Sequence, residues 1–526
     1  MNRILKLQQS WHFCRQQKQY RVTQGRLTAS EAAILLDQEG HIPLADLPLG
    51  KKDTKTLYLP LEDKGHLLLV APPDSQWRDQ LALAIGEWPG AVLAADPDGW
   101  LYQRTGYMRS RLGKPVYTIP GYRFNLTRYF QFWDDSVAWN LHRYLMDMDA
   151  VSPEERWLLE WTETLFTAVG LYSYAHKLNP MHVLLNAANG NMIRTLTALA
   201  TELEASQYVY EFTNGQTPWQ AIHDPDVVQS FHLFTRQLQR YQPLYHTFAL
   251  RAARDIVPEK WVNAQGALYL TYTHRKWSEV QGLAAALVDG MFAYHCSHGH
   301  YDPLLLVLDT ALARQIHHFP LLLAEAADYG VTVILTAGSL AELTELAPDG
   351  DGAAFASRFA HQLWYPSHEW MTAEHMAWLY GTELSQTVDG NRPEPKMVLT
   401  PHEVLAWPHK RVLLYTRRKR PYCCLAQQLR LPTDWPQNAP PVPPKQAHVP
   451  RKPNDWLPLN IDAFMPPNQM LSPNGKKLVV PEPDTEKHEE ICQEKQETHE
   501  ASPSVEEPET KAKGADDVHP ASPELR

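Results

Sequence analysis

The stretch GHLLLVAPPDSQWRDQLALAIGEWPGAVLAADPDGW, Gly65 to Trp100, decides how this chain reads. HLLLVAP and AVLAAD are short, β-rich apolar runs, and SQWRDQLALAIGEW between them has a helical period, so the three make a βαβ unit and imply a parallel sheet. A buried strand, a tight loop, an amphipathic helix and a second strand ending in Asp96 give the outline of a nucleotide-binding unit. The loop holds the wrong residues for one. A phosphate loop of the form GxxxxGK[ST] needs glycines so that successive backbone N–H groups turn onto the phosphates, a Lys to neutralise charge, and a hydroxyl to hold Mg²⁺.

Working outward, the same alternation returns further on. PLLLVLD leads to the helix-period segment ARQIHHFPLLLAEAADYG, then to VTVILTAG and SLAELTEL, again βαβ. Between the two halves, residues 152–255 read as helices throughout, as in EERWLLEWTETLFTAVGLYSYAHKL. The reading is one α/β domain, 51–150 plus 257–431, interrupted by an all-α insertion at 152–255. From about Trp435 to Arg526, proline, glutamate, lysine and serine dominate, with too little apolar content to offset chain entropy, so 435–526 is expected to be a disordered tail.

Composition narrows the class. With 526 residues, 44% hydrophobic and 10% aromatic, the chain can bury a large core. The net charge of −11 sits mostly in the tail: Pro481 to Arg526 contributes about −9, which leaves the body nearly neutral and no obvious nucleic-acid binder. No apolar run approaches the roughly 20 residues of a bilayer span, and no signal peptide opens the chain. Five cysteines, two of them adjacent at Cys423 and Cys424, form no paired framework, which fits a reducing compartment. The expectation is a cytoplasmic protein, at most peripheral at the inner face of a membrane. Any such attachment would use the basic helical segment 1–50, where Arg3, Lys6, Arg15, Lys18 and Arg21 accompany Ile4, Leu7 and Trp11 at helical spacing. A solvated helix packed on the domain is the plainer reading of that segment.

Six stretches in order carry a family resemblance: HLLLVAP; WPGAVLAADPDGWLYQRTGYMRSRLG; FNLTRYF; LLLVLDTALARQIHHFPLLLAEAADYGVTVILTAGSLAELTEL; TAEHMAWLYG; and TPHEVLAWPHKRVLLYTRRKRP. Over Ile42 to Leu431 the chain resembles the type IV secretion coupling proteins of the TraG/TraD group. The segment Pro303 to Leu346 is similar to the part of that family named for recognition of the relaxosome protein TraM. The resemblance implies a RecA-like, HerA/FtsK-type P-loop NTPase fold with an inserted all-α domain. It further implies hexamers at the base of a conjugative channel, with secretion-system or relaxosome proteins as partners.

The departures fall on the chemistry. Aligned on the family's APTGSGK[ST/G], Asp74 and Gln76 replace glycines around Ser75, Trp77 stands in place of the Lys, and Arg78 replaces the following small or hydroxyl residue. Asp74 would set a carboxylate beside the phosphates, an unfavourable pairing. The resemblance places an Asp-Glu pair at the end of LLLVLDT, for Mg²⁺ and for the attacking water; Asp309 remains and Thr310 replaces the Glu. The γ-phosphate-sensing QS-x-x-QL reads GSLAEL, so Gly338 and Glu342 replace the two glutamines. Three elements are lost together while the strands and helices that carry them remain.

Plainer readings apply to what is left. Asp96 and Asp309, at strand ends, are turn formers or N-caps in their ordinary role. Trp77 reads as a packing anchor, and Arg78, one position late, is a poor substitute for the Lys. YHCSHGHYD, with His295, Cys296, His298 and His300, has zinc-ligand residue types without finger spacing, and reads as a polar loop entering the Asp309 strand. TRRKRP, Thr416 to Pro421, reads as a solvated hairpin. The sequence thus favours a catalytically degenerate, coupling-protein-like component with no cofactor. The alternative is a divergent ATPase using ATP and Mg²⁺ to drive DNA or protein translocation.

Overall fold

The computed structural model describes residues 13–21, 26–35, 42–48, 54–59, 65–73, 75–119, 135–242, 256–271, 274–297, 302–386, 393–417 and 421–436. Its strands, in chain order, are β1 (Ile42–Pro48), β2 (Thr54–Leu59), β3 (Leu67–Val70), β4 (Ala91–Ala95), β5 (Val116–Ile119), β6 (Ala267–Leu270), β7 (Leu304–Asp309), β8 (Val331–Ala337), β9 (His361–Trp364), β10 (Thr382–Gln386), β11 (Pro393–Met397), β12 (Arg411–Arg417) and β13 (Pro421–Gln427). Eleven of them form one sheet in the order β2-β1-β13-β12-β9-β3-β8-β7-β4-β6-β5, and β10-β11 is a separate hairpin. From β9 to β5 every pairing is parallel; β12, β13, β1 and β2 extend that core antiparallel at one edge.

Strands of the parallel core are buried on both faces, as helix-covered parallel sheets require. In β3, Leu68 and Val70 join one apolar cluster, and Leu67 and Leu69 join the other across the sheet. The same two-residue alternation splits Leu306 from Leu305 and Val307 in β7. The βαβ reading of Gly65–Trp100 holds in direction. Its two strands are not neighbours, because β8 and β7 lie between β3 and β4. That interleaving places the loops after β3, β4, β7 and β8 at one rim of the sheet.

Between β5 and β6 the described residues form the helices Asp135–Leu145, Pro153–Trp161, Glu163–Ala175, Pro180–Ala187, Met192–Leu199, Leu203–Phe212, Pro225–Gln239 and Pro258–Asn263. Several helices begin where the sequence says they should. Asn179 and Asp224 cap with their side chains ahead of a proline at the first helical position, and Asn191 accepts from the N–H groups of Ile193 and Arg194.

Three expectations differ from the structure. Within residues 1–50, read as helical, Ile42–Pro48 is a strand paired between β2 and β13, with Ile42, Leu44, Ala45 and Leu47 buried in the apolar core. His295 and Cys296 lie on the last turn of the long helix His274–Ser297, where His295 Nε2 donates to Tyr329 O at 3.0 Å; the polar-loop reading fails there because the turn packs on the core. His298 and His300 lie outside the described residues, and no group of three metal-ligating side chains occurs among the described ones. Finally, the tail does not begin at Trp435. The Trp435 indole N–H donates to Arg104 O at 2.8 Å, and its ring lies where a Cβ on Gly86 would come within 2.8 Å of it.

Residues 428–435 therefore form a strap along the helix Trp77–Glu87. Gln428 faces Gln76 near the helix start, Leu431 N donates to Asp79 Oδ2 at 3.3 Å, and Trp435 sits at Gly86 near the helix end. Glycine in a helix costs about 1 kcal/mol relative to Ala, and here the missing side chain makes room for the indole. Trp435→Ala is expected to lower stability by about 2 kcal/mol, read as the urea midpoint, and Gly86→Leu by a comparable amount. Because both remove one contact, the double variant should cost clearly less than the sum; strict additivity would overturn the seating.

Candidate nucleotide site

At the rim where β3, β4, β7 and β8 end, the structure has a cavity of about 390 Å³. Its wall is largely apolar, from Ala71, Leu81, Leu101, Val307 and the two indoles Trp77 and Trp100; its charged groups are Asp96, Asp98, Asp309, Glu342 and Arg78.

The loop after β3 is closed on itself. Ala71 N extends the strand ladder by donating to Ala337 O at 2.8 Å, then Pro72 and Pro73 follow, neither of which has an N–H. Ser75 N and Ser75 Oγ both donate back to Pro72 O, at 3.0 and 2.7 Å. Asp74 lies outside the described residues. In a phosphate loop these positions turn successive N–H groups toward the ligand; here Pro73 removes a donor that the family's Thr would supply, and Ser75 N is bonded internally.

Helix Trp77–Glu87 starts directly after. Trp77 is partly buried with the Arg78 guanidinium over its ring at 5.6 Å. Arg78 Nη1 lies 2.5 Å from Asp98 Oδ2, so its charge is spent on the loop after β4. Sequence reasoning missed that pairing, because nothing in the twenty-residue separation marks Asp98 as the partner.

The retained acids act as caps. Asp96 is buried at 2% exposure, and its two oxygens accept from Leu101 N at 3.0 Å and Tyr102 N at 2.8 Å, anchoring helix Trp100–Arg111. Burial pushes its carboxyl up to about 6 against the pull of those two donors. Asp309 is the N-cap of helix Thr310–Gln315, accepting from Leu312 N at 2.7 Å, and burial together with the nearby Glu342 raises its carboxyl. Both follow the plainer reading of the sequence.

Thr310 and the GSLAEL segment meet. The Thr310 hydroxyl donates to Glu342 Oε2 at 2.7 Å, and Gly338 N donates to the same oxygen at 2.9 Å. A Cβ on Gly338 would stand 2.6 Å from Glu342 Oε1. Any side chain at 338 would therefore have to displace the Glu342 carboxylate, whose other oxygen holds both bonds. The three positions that depart from the family's pattern, Thr310, Gly338 and Glu342, are thus one bonded unit, and the 28 to 32 residues between Thr310 and the other two hid it in the sequence.

The sheet order, the rim cavity and the helical insertion define a RecA-like P-loop NTPase fold. Among solved structures, the chain is similar to the bacterial conjugative coupling protein TrwBdeltaN70 in an unbound form, with a TM-score of 0.58 and 12% identity, covering 79% of this chain and 96% of that one. It is similar also to the plasmid coupling protein TrwB in complex with ADP and Mg²⁺, with a TM-score of 0.56 and 13% identity, covering 78% and 94%. No protein-family model and no curated protein sequence matches.

Asp96 makes a pH test possible. Between its ordinary value near 4 and about 6, the folded state keeps a proton that the unfolded chain has released, so its contribution is fullest below about pH 4 and is lost as pH rises through 6. Relative to Asp96→Asn, the wild type should therefore lose on the order of 2 kcal/mol between pH 4 and pH 7, measured by urea unfolding. A constant difference across that range would refute the assignment.

Proposed function

We propose that this chain is a coupling-protein-like component of a conjugative DNA-transfer or type IV secretion system that does not hydrolyse ATP and serves as a docking or regulatory subunit. The fold shared with TrwB supports the first half. The observation that carries the second is the closed loop at Ala71–Gln76 together with the Thr310–Glu342–Gly338 unit.

The residues present do not fit ATP and Mg²⁺. Within the cavity wall a triphosphate would meet four carboxylates, and the one cation of that wall, Arg78, is already paired with Asp98. Thr310 cannot polarise a water as a carboxylate does. The alternative, a divergent translocating ATPase, draws on the retained Asp309 and on the cavity itself, but Asp309 is engaged as a helix cap.

Partners on this reading are secretion-system or relaxosome proteins, among them an active coupling ATPase in a shared ring. No helix among the described residues is long and apolar enough to cross a membrane. We place the protein at most peripherally on the membrane, through the basic residues of segment 1–50.

Nucleotide binding decides between the readings. A ligand at a hundredfold excess over its Kd adds about 2.7 kcal/mol to stability, an easily read shift in Tm. Excess ATP with Mg²⁺ is expected to leave Tm unchanged and to give no phosphate release; a shift in Tm would overturn the misfit to ATP, and turnover lost in Asp309→Ala would establish the ATPase instead.

A further inference from the structure

Helix Leu203–Phe212, in the helical insertion, presents two parallel stripes to solvent. Its inner face is buried through Ala205, Val209 and Phe212. Outward, Leu203 and Tyr210, seven residues apart and so on one face, are 84% and 61% exposed. Alongside, one position on, Glu204 and Glu211 make an exposed acidic stripe of the same seven-residue spacing. Gln207 Nε2 donates to Glu211 Oε1 at 3.2 Å and steadies it.

A leucine this exposed gains nothing from the fold in isolation, and apolar anchors beside a charged row are the pattern of helix-on-helix recognition. The charge says which helix. Residues 152–242 carry nine acidic and five basic side chains, so a nucleic acid would bring phosphates against Glu204 and Glu211. We propose that this face docks a basic amphipathic helix of a partner protein, its apolar side on Leu203 and Tyr210 and its Lys or Arg side chains on Glu204 and Glu211. The proposal rests on the docking reading above and gives that reading a surface and a partner chemistry.

The test uses the full-length protein and a labelled helical peptide with leucines on one face and lysines on the next, followed by fluorescence anisotropy. A matched peptide with glutamates for lysines and a DNA duplex serve as comparisons. The lysine peptide should bind, weaken with added salt, and lose about tenfold or more in affinity in Leu203→Asp and in Tyr210→Ala. Glu204→Lys with Glu211→Lys should shift preference to the acidic peptide. Since all four side chains are exposed, far-UV circular dichroism and Tm are expected to stay as in the wild type. Equal binding of the two peptides, tighter binding of DNA, affinity indifferent to Leu203→Asp, or self-association that Leu203→Asp abolishes would each overturn the proposal. The two readings fail separately: co-purification of a secretion-system protein that survives Leu203→Asp refutes this face and leaves the docking reading standing, whereas ATP turnover refutes the docking reading whatever the peptide does.

Discussion

Burial of both faces of the parallel strands β9 to β5 is the constraint on which the rest of the structure depends. A strand such as β3, with all four residues buried, leaves side chains no access to solvent along its length. Polar chemistry can then appear only where strands end. Because β8 and β7 are interleaved between β3 and β4, four strand ends meet at one rim, and the cavity there follows from the topology whatever residues line it.

The residues at that rim hold the structure together. Two strand-end carboxylates accept N–H bonds from the helices that follow them, and Glu342 joins the end of β8 to the helix after β7. Caps of this kind contribute about 1 kcal/mol each. Asp96 and Asp309 thus each have a structural role that does not depend on nucleotide chemistry.

Elsewhere the fold relies on buried polar groups satisfied by backbone. His66 Nε2–H donates to Leu323 O at 2.8 Å while its Nδ1 accepts from Val333 N at 3.1 Å, an arrangement that only the neutral ring satisfies; burial accordingly depresses its pKa to about 4. Arg109, fully buried, donates to the carbonyls of Trp88 and Gly90, just past the helix Trp77–Glu87, and of Gln265, just before β6. Three backbone carbonyls thus solvate the cation in place of a carboxylate partner. The strap at 428–435 covers the outer side of the same helix, so the element carrying the altered loop is held from its end and along its flank.

Sequence determined the strand and helix types, the α/β class, and the identities missing from the phosphate loop, because these rest on local periodicity and on residue chemistry at fixed spacing. The capping roles of Asp96 and Asp309 were legible for the same reason: each stands between a strand and a helix a few residues on. Tertiary structure alone decided which strands are neighbours, since βαβ patterning gives direction and not order. It also decided the pairing of Arg78 with Asp98, the meeting of Thr310 with Glu342 and Gly338, and the seating of Trp435 on Gly86. In each of these the partners lie about 20 to 350 residues apart, and no local pattern encodes a contact whose existence depends on how the sheet brings distant chain ends to the same rim.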